Sequence, residues 1–189
     1  MFSAKKLMII SLLSVLFLAC GRSVQYRSVA EDEGGRTWGA REIKESTEKI
    51  VSSLYNYLKS TRKPAFLAVK KIRNRTAEHI DTKLLADEIT SQLIRRGIRF
   101  IDISARGDSL KEIELSQTGL TSGGPNAGEL KSPNYFLAGE ITESVRFDDG
   151  QKVQYLLVTF RLIDVATTEI KWQDQKRFLK VSDNEKLSW

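Results

Sequence analysis

Three long segments in the last third of the chain alternate apolar and polar residues, and this pattern restricts the possible folds more than any other feature. The first segment has its apolar residues at Tyr135, Leu137, Ile141 and Val145, with Gly139 in the same register. The second has them at Leu156, Val158, Phe160 and Leu162, and the third begins at Ile170 and Trp172 and runs to about Leu179. A period of two residues is typical of strands that bury one face.

The connections between these segments predict how the strands pair. Asp149-Gly150 separates the first two segments and is typical of a tight hairpin turn. Residues 166–168 connect the second and third, but they lack the glycine that we expect near Thr168 in a hairpin. The last third of the chain is therefore predicted to form an antiparallel meander of three strands.

A helix–strand–helix–strand pattern precedes the meander. Helical spacing is seen at Ile43, Thr47, Ile50, Leu54 and Tyr57, and Lys63-Pro64 ends this pattern. The short apolar run 65–72 predicts a strand, and Asp81 can cap a second helix that ends near Gly97. Residues 98–103 predict another strand. These segments form a βαβ unit, in which the two strands are parallel.

The fold class that follows is α/β (α+β), as a single compact domain. We expect a mixed β-sheet of about five strands, with a parallel βαβ part and a C-terminal antiparallel meander, flanked by helices. A short polar helix over 108–118 and a Gly-containing loop over 121–132 connect the two parts. The globular domain is predicted to span residues 39–181, followed by a tail over 182–189.

The N-terminus has the features of a bacterial lipoprotein signal. Lys5 and Lys6 precede an apolar run over 7–18, and this run is shorter than the ~20 residues that a spanning helix needs. The run ends at Ala19-Cys20-Gly21, which resembles a lipobox. We therefore predict a signal peptide over 1–19, lipidation of Cys20, and a flexible tether over 20–38. Because Gly21 is not Asp, the resemblance favours the outer membrane.

Composition argues against most enzyme classes. The chain of 189 residues has one Cys and one His. The single Cys excludes an internal disulfide, and the single His leaves only one imidazole for catalysis that depends on histidine. Neither a P-loop nor a G-x-S-x-G motif is present. His79 lies at the start of the second helix, where we expect Asp81 to cap and its neighbours to be solvated. We therefore predict no catalytic residue, no metal, no cofactor and no small-molecule substrate.

The net charge gives no indication of nucleic-acid binding. The whole chain has a formal net charge of +6, and loss of residues 1–19 with Lys5 and Lys6 lowers it to +4. Four arginines nevertheless cluster around the end of the second helix and the following strand, at Arg95, Arg96, Arg99 and Arg106. The helix dipole accounts for the first two, because cations are favoured at a helix C-terminus. We predict that the four form a basic patch that docks an acidic partner.

Several short motifs stand in a characteristic order along the chain. They are Cys20, Phe66-Leu67-Ala68-Val69, Asn74-Arg75-Thr76, His79-Ile80-Asp81-Thr82, Asn134-Tyr135-Phe136-Leu137-Ala138-Gly139-Glu140-Ile141, the segment 155–164 and Ile170-Lys171-Trp172. Together they resemble the LpoB-type penicillin-binding-protein activator lipoproteins. The resemblance covers roughly residues 39–181.

The resemblance implies a lipoprotein of the outer membrane whose domain faces the periplasm. Its partner would be a class A penicillin-binding protein, a bifunctional peptidoglycan synthase that the lipoprotein activates allosterically, without chemistry of its own. An alternative is a structural subunit of a secretion channel, related to lipoproteins of the curli secretion type. A third possibility, an enzyme acting on sugars of the cell envelope, has no catalytic residues to support it.

Overall fold

A mixed sheet with two long helices packed on one face forms the body of the protein. In this computed structural model the described residues are 28, 33–126 and 128–183. The predicted signal peptide, Cys20, much of the tether and residues 184–189 lie outside them. The helices are α1 (Ala40–Thr61), α2 (Thr82–Arg95) and α3 (Arg106–Gln117). The strands are β1 (Phe66–Val69), β2 (Arg73–Arg75), β3 (Arg99–Phe100), β4 (Tyr135–Asp148), β5 (Gln151–Asp164) and β6 (Ile170–Asp183).

The strand order confirms the predicted fold class. Neighbouring strands follow the order β3-β1-β4-β5-β6, and β2 pairs with β4 beside β1. β1 is parallel to both β3 and β4, whereas β4, β5 and β6 form the antiparallel meander. The sheet has six strands instead of about five, because β2, which follows the predicted strand over 65–72, also pairs with β4.

The division between β1 and β2 is a local irregularity of the pairing with β4. Val69 is opposite Leu137, and Arg73 is opposite Glu140. Three residues therefore lie between these two positions in the segment that joins β1 to β2, but only two lie between them in β4. The extra residue is typical of a β-bulge, which redirects a side chain. Ile72 is buried there, above Gly139 of β4. The apolar run alone does not reveal such a bulge.

The starts of α1 and α2 are fixed by local hydrogen bonds. The backbone N–H of Gly39 donates to Glu42 Oε2 at 2.9 Å at the start of α1. Asp81 caps α2 as predicted, because its Oδ1 accepts from the N–H groups of Lys83 and Leu84, both at 3.0 Å. The parallel pairing of β1 with β3, with α2 between them in the chain, confirms the predicted βαβ unit, although β3 is shorter than the predicted strand over 98–103.

The core lies between the two helices and one face of the sheet. Its buried side chains come from α1, α2, β1, β4 and β5, and include Leu54, Ile89, Leu67, Leu137 and Phe160. Gly139 is opposite Phe160, and a Cβ atom at Gly139 would stand 2.8 Å from the ring. The absence of a side chain at Gly139 makes room for the largest residue of the core.

α1 runs along β6 in the opposite direction and is joined to it by polar contacts. Three ion pairs connect them: Lys49 Nζ to Asp174 Oδ2 at 3.1 Å, Glu45 Oε2 to Lys176 Nζ at 2.7 Å, and Glu42 Oε1 to Lys180 Nζ at 2.7 Å. The even-numbered residues of β6 therefore face α1 from Trp172 to Lys180. The odd-numbered residues face away from the helix.

Both hairpin turns use left-handed backbone. Asp149 and Gly150 have φ of 44° and 79°, as the predicted tight turn requires. In the second turn Thr168 has φ of 61°, at the position where the sequence pattern calls for glycine. In the described part of the chain, no helix combines the length and the apolar character needed to cross a membrane.

Candidate partner-binding surface

Arg96 and Arg99, two of the four predicted arginines, lie over different aromatic rings. Arg96 lies over Tyr55 of α1, with its guanidinium carbon 5.5 Å from the ring centroid, and Lys59 Nζ is 5.9 Å from the same ring. Arg99 instead lies over Phe66 of β1, at 5.4 Å. Arg95 is exposed at the end of α2. Arg96 is therefore in contact with α1, and Arg99 is in contact with β1.

Arg99 and Arg106 are connected through Lys131, a residue that is not among the four arginines predicted from the sequence. Lys131 Nζ is 5.5 Å from the centroid of the Phe66 ring, on which Arg99 also lies. Arg106 Nη2 donates to the backbone carbonyl of Lys131 at 3.1 Å. We call Phe66, Arg99, Arg106 and Lys131 the Phe66 cluster. Lys131 lies in the Gly-containing loop, so its position depends on tertiary structure and has no sequence signal.

A shallow groove extends from Phe66 towards Tyr55, between the end of α1 and the starts of β1 and β3. It is lined by apolar, aromatic and cationic residues, including Lys59, Lys63 and Gly97. Cations over aromatic rings are held in place by about 0.5–1 kcal/mol each at exposed sites. The groove and the Phe66 cluster together present positive charge that is suited to an acidic surface.

A buried polar cluster stands near the histidine, and its role is structural. Gln154 is buried, and its Nε2 donates to Glu78 Oε1 at 2.8 Å and to Glu143 Oε2 at 2.7 Å. The other carboxylate oxygens accept backbone N–H groups, Glu78 from Trp38 at 2.7 Å and Glu143 from Ala77. The cluster thus ties the segment before α1 to the sheet.

This cluster corrects one expectation from the sequence. His79 is exposed, but its neighbour Glu78 is partly buried and fully engaged in hydrogen bonds, instead of being solvated. The partners of Glu78 are distant in sequence, which is why the local motif did not identify them. Among the described residues, no group of three or more His, Cys, Asp or Glu side chains is arranged to hold a metal ion.

The two tryptophans of the domain pack inside it. Trp172 adjoins the core, and its Nε1 donates to Ser53 Oγ at 3.2 Å. Trp38 contacts Phe178 edge to face, with ring centroids 6.2 Å apart. Trp38 is therefore packed against the core at the start of α1.

Three solved structures resemble this chain at low sequence identity. The C-terminal domain of LpoB from Salmonella enterica is 13% identical, with a TM-score of 0.43 over 72% of this chain and 98% of that domain. The same domain from Escherichia coli is 14% identical, with the same score and coverage. Lipoprotein GNA1162 from Neisseria meningitidis is 14% identical, with a TM-score of 0.39 over 63% of this chain and 85% of that protein.

Family assignment rests on the sequence of the domain. No curated protein matches this sequence. The family model described as peptidoglycan-synthase activator LpoB, however, matches residues 42–178, well over half of the chain. This range extends from the first turn of α1 to the middle of β6 and includes every strand of the sheet. The chain therefore belongs to the LpoB family of peptidoglycan-synthase activators.

Proposed function

We propose that this protein binds a class A penicillin-binding protein and activates it, promoting peptidoglycan synthesis. Membership of the activator family is the observation that supports the proposal. The protein performs no chemistry in this scheme. Its binding energy favours the active state of the synthase, and the activation can be no larger than the difference in its affinity for the two states.

We also propose that the protein acts as a lipoprotein. Cys20 receives the lipid after removal of residues 1–19, and the lipid anchors the protein in the outer membrane with the domain in the periplasm. The lipobox-like sequence before Gly21 supports this part of the proposal. The tether over 20–38 spans at most about 60 Å when fully extended, so the domain works close to its membrane.

The Phe66 cluster is the part of the predicted basic patch that we propose for contact with the synthase. Arg99 and Arg106 are held there together with Lys131, and Arg99 and Lys131 share one aromatic ring. A cationic surface raises the rate of association with an acidic partner. Arg95 and Arg96, which lie outside the cluster, are expected to contribute less.

Capture and activity together test this function. The full-length protein, immobilised in detergent, is used to capture class A synthases from a membrane extract of its own organism. The captured synthase is then assayed for glycan polymerisation and cross-linking with and without added protein. We expect a several-fold stimulation of polymerisation. Failure to bind or stimulate any class A synthase would reject the proposal. A discrete ring-like oligomer in detergent would instead favour the channel-subunit alternative, which the family match does not support.

A further inference from the structure

The face of the sheet opposite the helices carries a contiguous apolar patch. Tyr155 of β5 is directly opposite Leu179 of β6, and Val153 is opposite Val181. Leu179 and Val181 are 66% and 55% exposed, and Tyr155 is 40% exposed. Leu157 is the next residue of β5 on the same face. We call these five residues the open-face patch.

Packing within the domain does not explain this patch. In β5 the buried residues Leu156 and Val158 point to the helix-covered face, so Tyr155 and Leu157 point away from it. Single exposed leucines are common on protein surfaces, whereas a cluster of adjacent apolar side chains marks an interaction site. The exposed side chains also lie on ordered, paired strands, which hold them in a fixed arrangement.

Arginines border the patch on the same face. Arg146 of β4 is opposite Val153, and Arg177 of β6 is opposite Leu157. Further across the sheet, Arg73 and Arg75 of β2 pair with β4 on the same face. The planar guanidinium group is well suited to bidentate contacts with carboxylates.

Acidic side chains also lie on this face, with Glu140 beside the arginines of β2 and with Asp148 and Asp183 opposite Gln151 at the hairpin end. Glu140 Oε1 is 2.6 Å from Arg75 Nε and 4.0 Å from Arg73 Nε, which neutralises part of the charge of β2. Both arginines remain largely exposed. The positive charge beside the patch is therefore local and is carried mainly by Arg146 and Arg177, while Asp148 and Asp183 lie at the hairpin end.

We propose that the open-face patch docks a folded protein whose contact surface has an apolar centre and an acidic rim. The docked protein is the synthase itself, an identification that rests on the proposed function. Specific protein interfaces combine an apolar centre with a polar rim, and tyrosine and arginine are enriched in the residues that dominate their binding energy. The open-face patch has this composition.

Two other occupants fit the charges less well. A second copy of the chain, placed face to face, would bring the arginines of one patch against those of the other. An anionic membrane is negative over its whole surface and would be opposed by Asp148 and Asp149 in the adjacent hairpin and by Asp183 at the end of β6, whereas a protein surface can place its acidic groups opposite Arg146 and Arg177 alone. An acidic protein surface is the occupant that complements the arginine border.

The open-face patch and the Phe66 cluster are separate and contribute differently to binding. Phe66 lies one residue before the pair Leu67–Tyr135 and is therefore level with Asn134, just before β4. Tyr155 is opposite Ser144, which is ten residues further along the chain. At about 3.3 Å per residue, the two are roughly 33 Å apart along the strands. The cations of the Phe66 cluster affect mainly the association rate, whereas the apolar open-face patch affects mainly the dissociation rate.

Binding kinetics of full-length protein and the captured synthase test this inference. The variant Leu179→Ser with Val181→Ser removes two exposed apolar side chains from the open-face patch. The control, Leu84→Ser with Ile94→Ser, removes two half-exposed apolar side chains from α2. We expect a dissociation rate about tenfold higher for the first variant with an unchanged association rate, and less than a twofold change for the control. Circular dichroism and thermal unfolding verify that both variants are folded.

Charge reversal provides a second measurement that does not depend on the apolar side chains. Arg146→Glu with Arg177→Glu is expected to weaken binding at least fivefold and to reduce its dependence on salt. If wild-type protein binds the synthase and both open-face variants bind equally well, the inference is overturned while the proposed function stands. If wild-type protein binds no synthase, both are rejected.

The alternative occupants are tested on the same variants. A wild-type dimer in sedimentation that dissociates in the Leu179→Ser, Val181→Ser variant would assign the patch to a second copy. Flotation of the wild type, and not of this variant, with vesicles of phosphatidylethanolamine and phosphatidylglycerol would assign it to the membrane. Since lipidated protein floats by its anchor and an uncut precursor keeps the apolar run over 7–18, this assay uses the unlipidated chain from residue 21 onwards as the common background. Either result would overturn docking of the synthase at this surface.

Discussion

Lys180 and Glu42 form an ion pair that is almost completely buried between β6 and the first turn of α1. The Nζ and Oε1 atoms are 2.7 Å apart, and the two side chains are 13% and 4% exposed. Lys180 also donates to the carbonyl of Thr37 at 2.7 Å, and Glu42 Oε2 accepts from Gly39 N–H. The pair therefore connects the last strand to the segment that begins the domain.

We predict that Lys180→Met lowers the free energy of unfolding by about 3 kcal/mol, because it leaves the carboxylate of Glu42 buried without a cation. Urea denaturation followed by far-UV circular dichroism measures the change. The double variant Glu42→Gln with Lys180→Met removes both charges and should lose less than the single variant. Equal losses in the two variants would contradict a role for uncompensated charge.

Acid stability is predicted to depend on Glu45. The hydrogen bond from Lys176, followed by the one from Arg41, lowers the pKa of Glu45 below its ordinary value of 4.5. A lowered folded-state pKa contributes stability above the unfolded pKa, and this contribution is lost as pH falls through the folded pKa. Lys176→Met should therefore destabilise the protein near pH 6 and flatten the decline in stability below about pH 4.5. Denaturation series at several pH values measure this, with Lys63→Met as the exposed control.

Thr168 is predicted to be a stabilising site for substitution. Its φ of 61° is unfavourable for a β-branched residue, whereas glycine adopts it without steric cost. Thr168→Gly should raise the free energy of unfolding by about 0.5–1 kcal/mol, since part of the gain is offset by the flexibility of glycine in the unfolded chain. Thermal unfolding measures the change. Thr167→Gly, in the same turn at negative φ, should destabilise, and an equal effect of both would exclude backbone strain as the cause.

The Phe66 cluster is predicted to accelerate binding of the synthase. Arg99→Glu with Arg106→Glu reverses two charges and should lower the association rate about tenfold at low salt, with a smaller effect at high salt. Stopped-flow or surface-based kinetics at two ionic strengths measure this. Arg95→Glu with Arg96→Glu reverses the same number of charges outside the cluster and should have a smaller effect. An unchanged affinity of the first variant, with the fold intact, would remove the cluster from the binding surface.

Lipidation at Cys20 is predicted to be required for membrane attachment. Cells that express the wild-type protein should incorporate labelled palmitate into it, whereas Cys20→Ser should remain as an unlabelled precursor. Gel mobility, label incorporation and membrane fractionation measure the two forms. Absence of label from the wild-type protein would reject the lipoprotein proposal and leave the assignment of the domain to its family unaffected.

Local patterns in the sequence predict most of the fold. The period of two residues in β5 places Leu156, Val158 and Phe160 on one face, and all three are buried. Asp81 and the Asp149-Gly150 turn act through their own backbone neighbours, so their roles are also visible in sequence. The bulge that buries Ile72 is not visible, since it depends on the space above Gly139 in a strand that follows much later.

The proposed binding surfaces could be predicted only in part, because their residues come from separate elements. Arg99 and Arg106 are close in sequence, and the prediction includes both. Their neighbours Phe66 and Lys131 are joined to them only by the folded structure. In β6 the exposed residues Leu179 and Val181 follow the pattern of an ordinary half-buried strand. Only the position of α1 identifies which side of that strand is covered.

The arrangement of the sheet also has a consequence for the order of folding. The hairpin of β4 and β5 closes between Asp148 and Gln151 and grows by local contacts, which form quickly. The parallel strand β1 must instead pair with β4 through residues such as Leu67 and Tyr135, across a long stretch of chain that includes two helices. Closing that stretch costs entropy before it yields contacts. The meander can therefore serve as a template on which the N-terminal half of the domain assembles last.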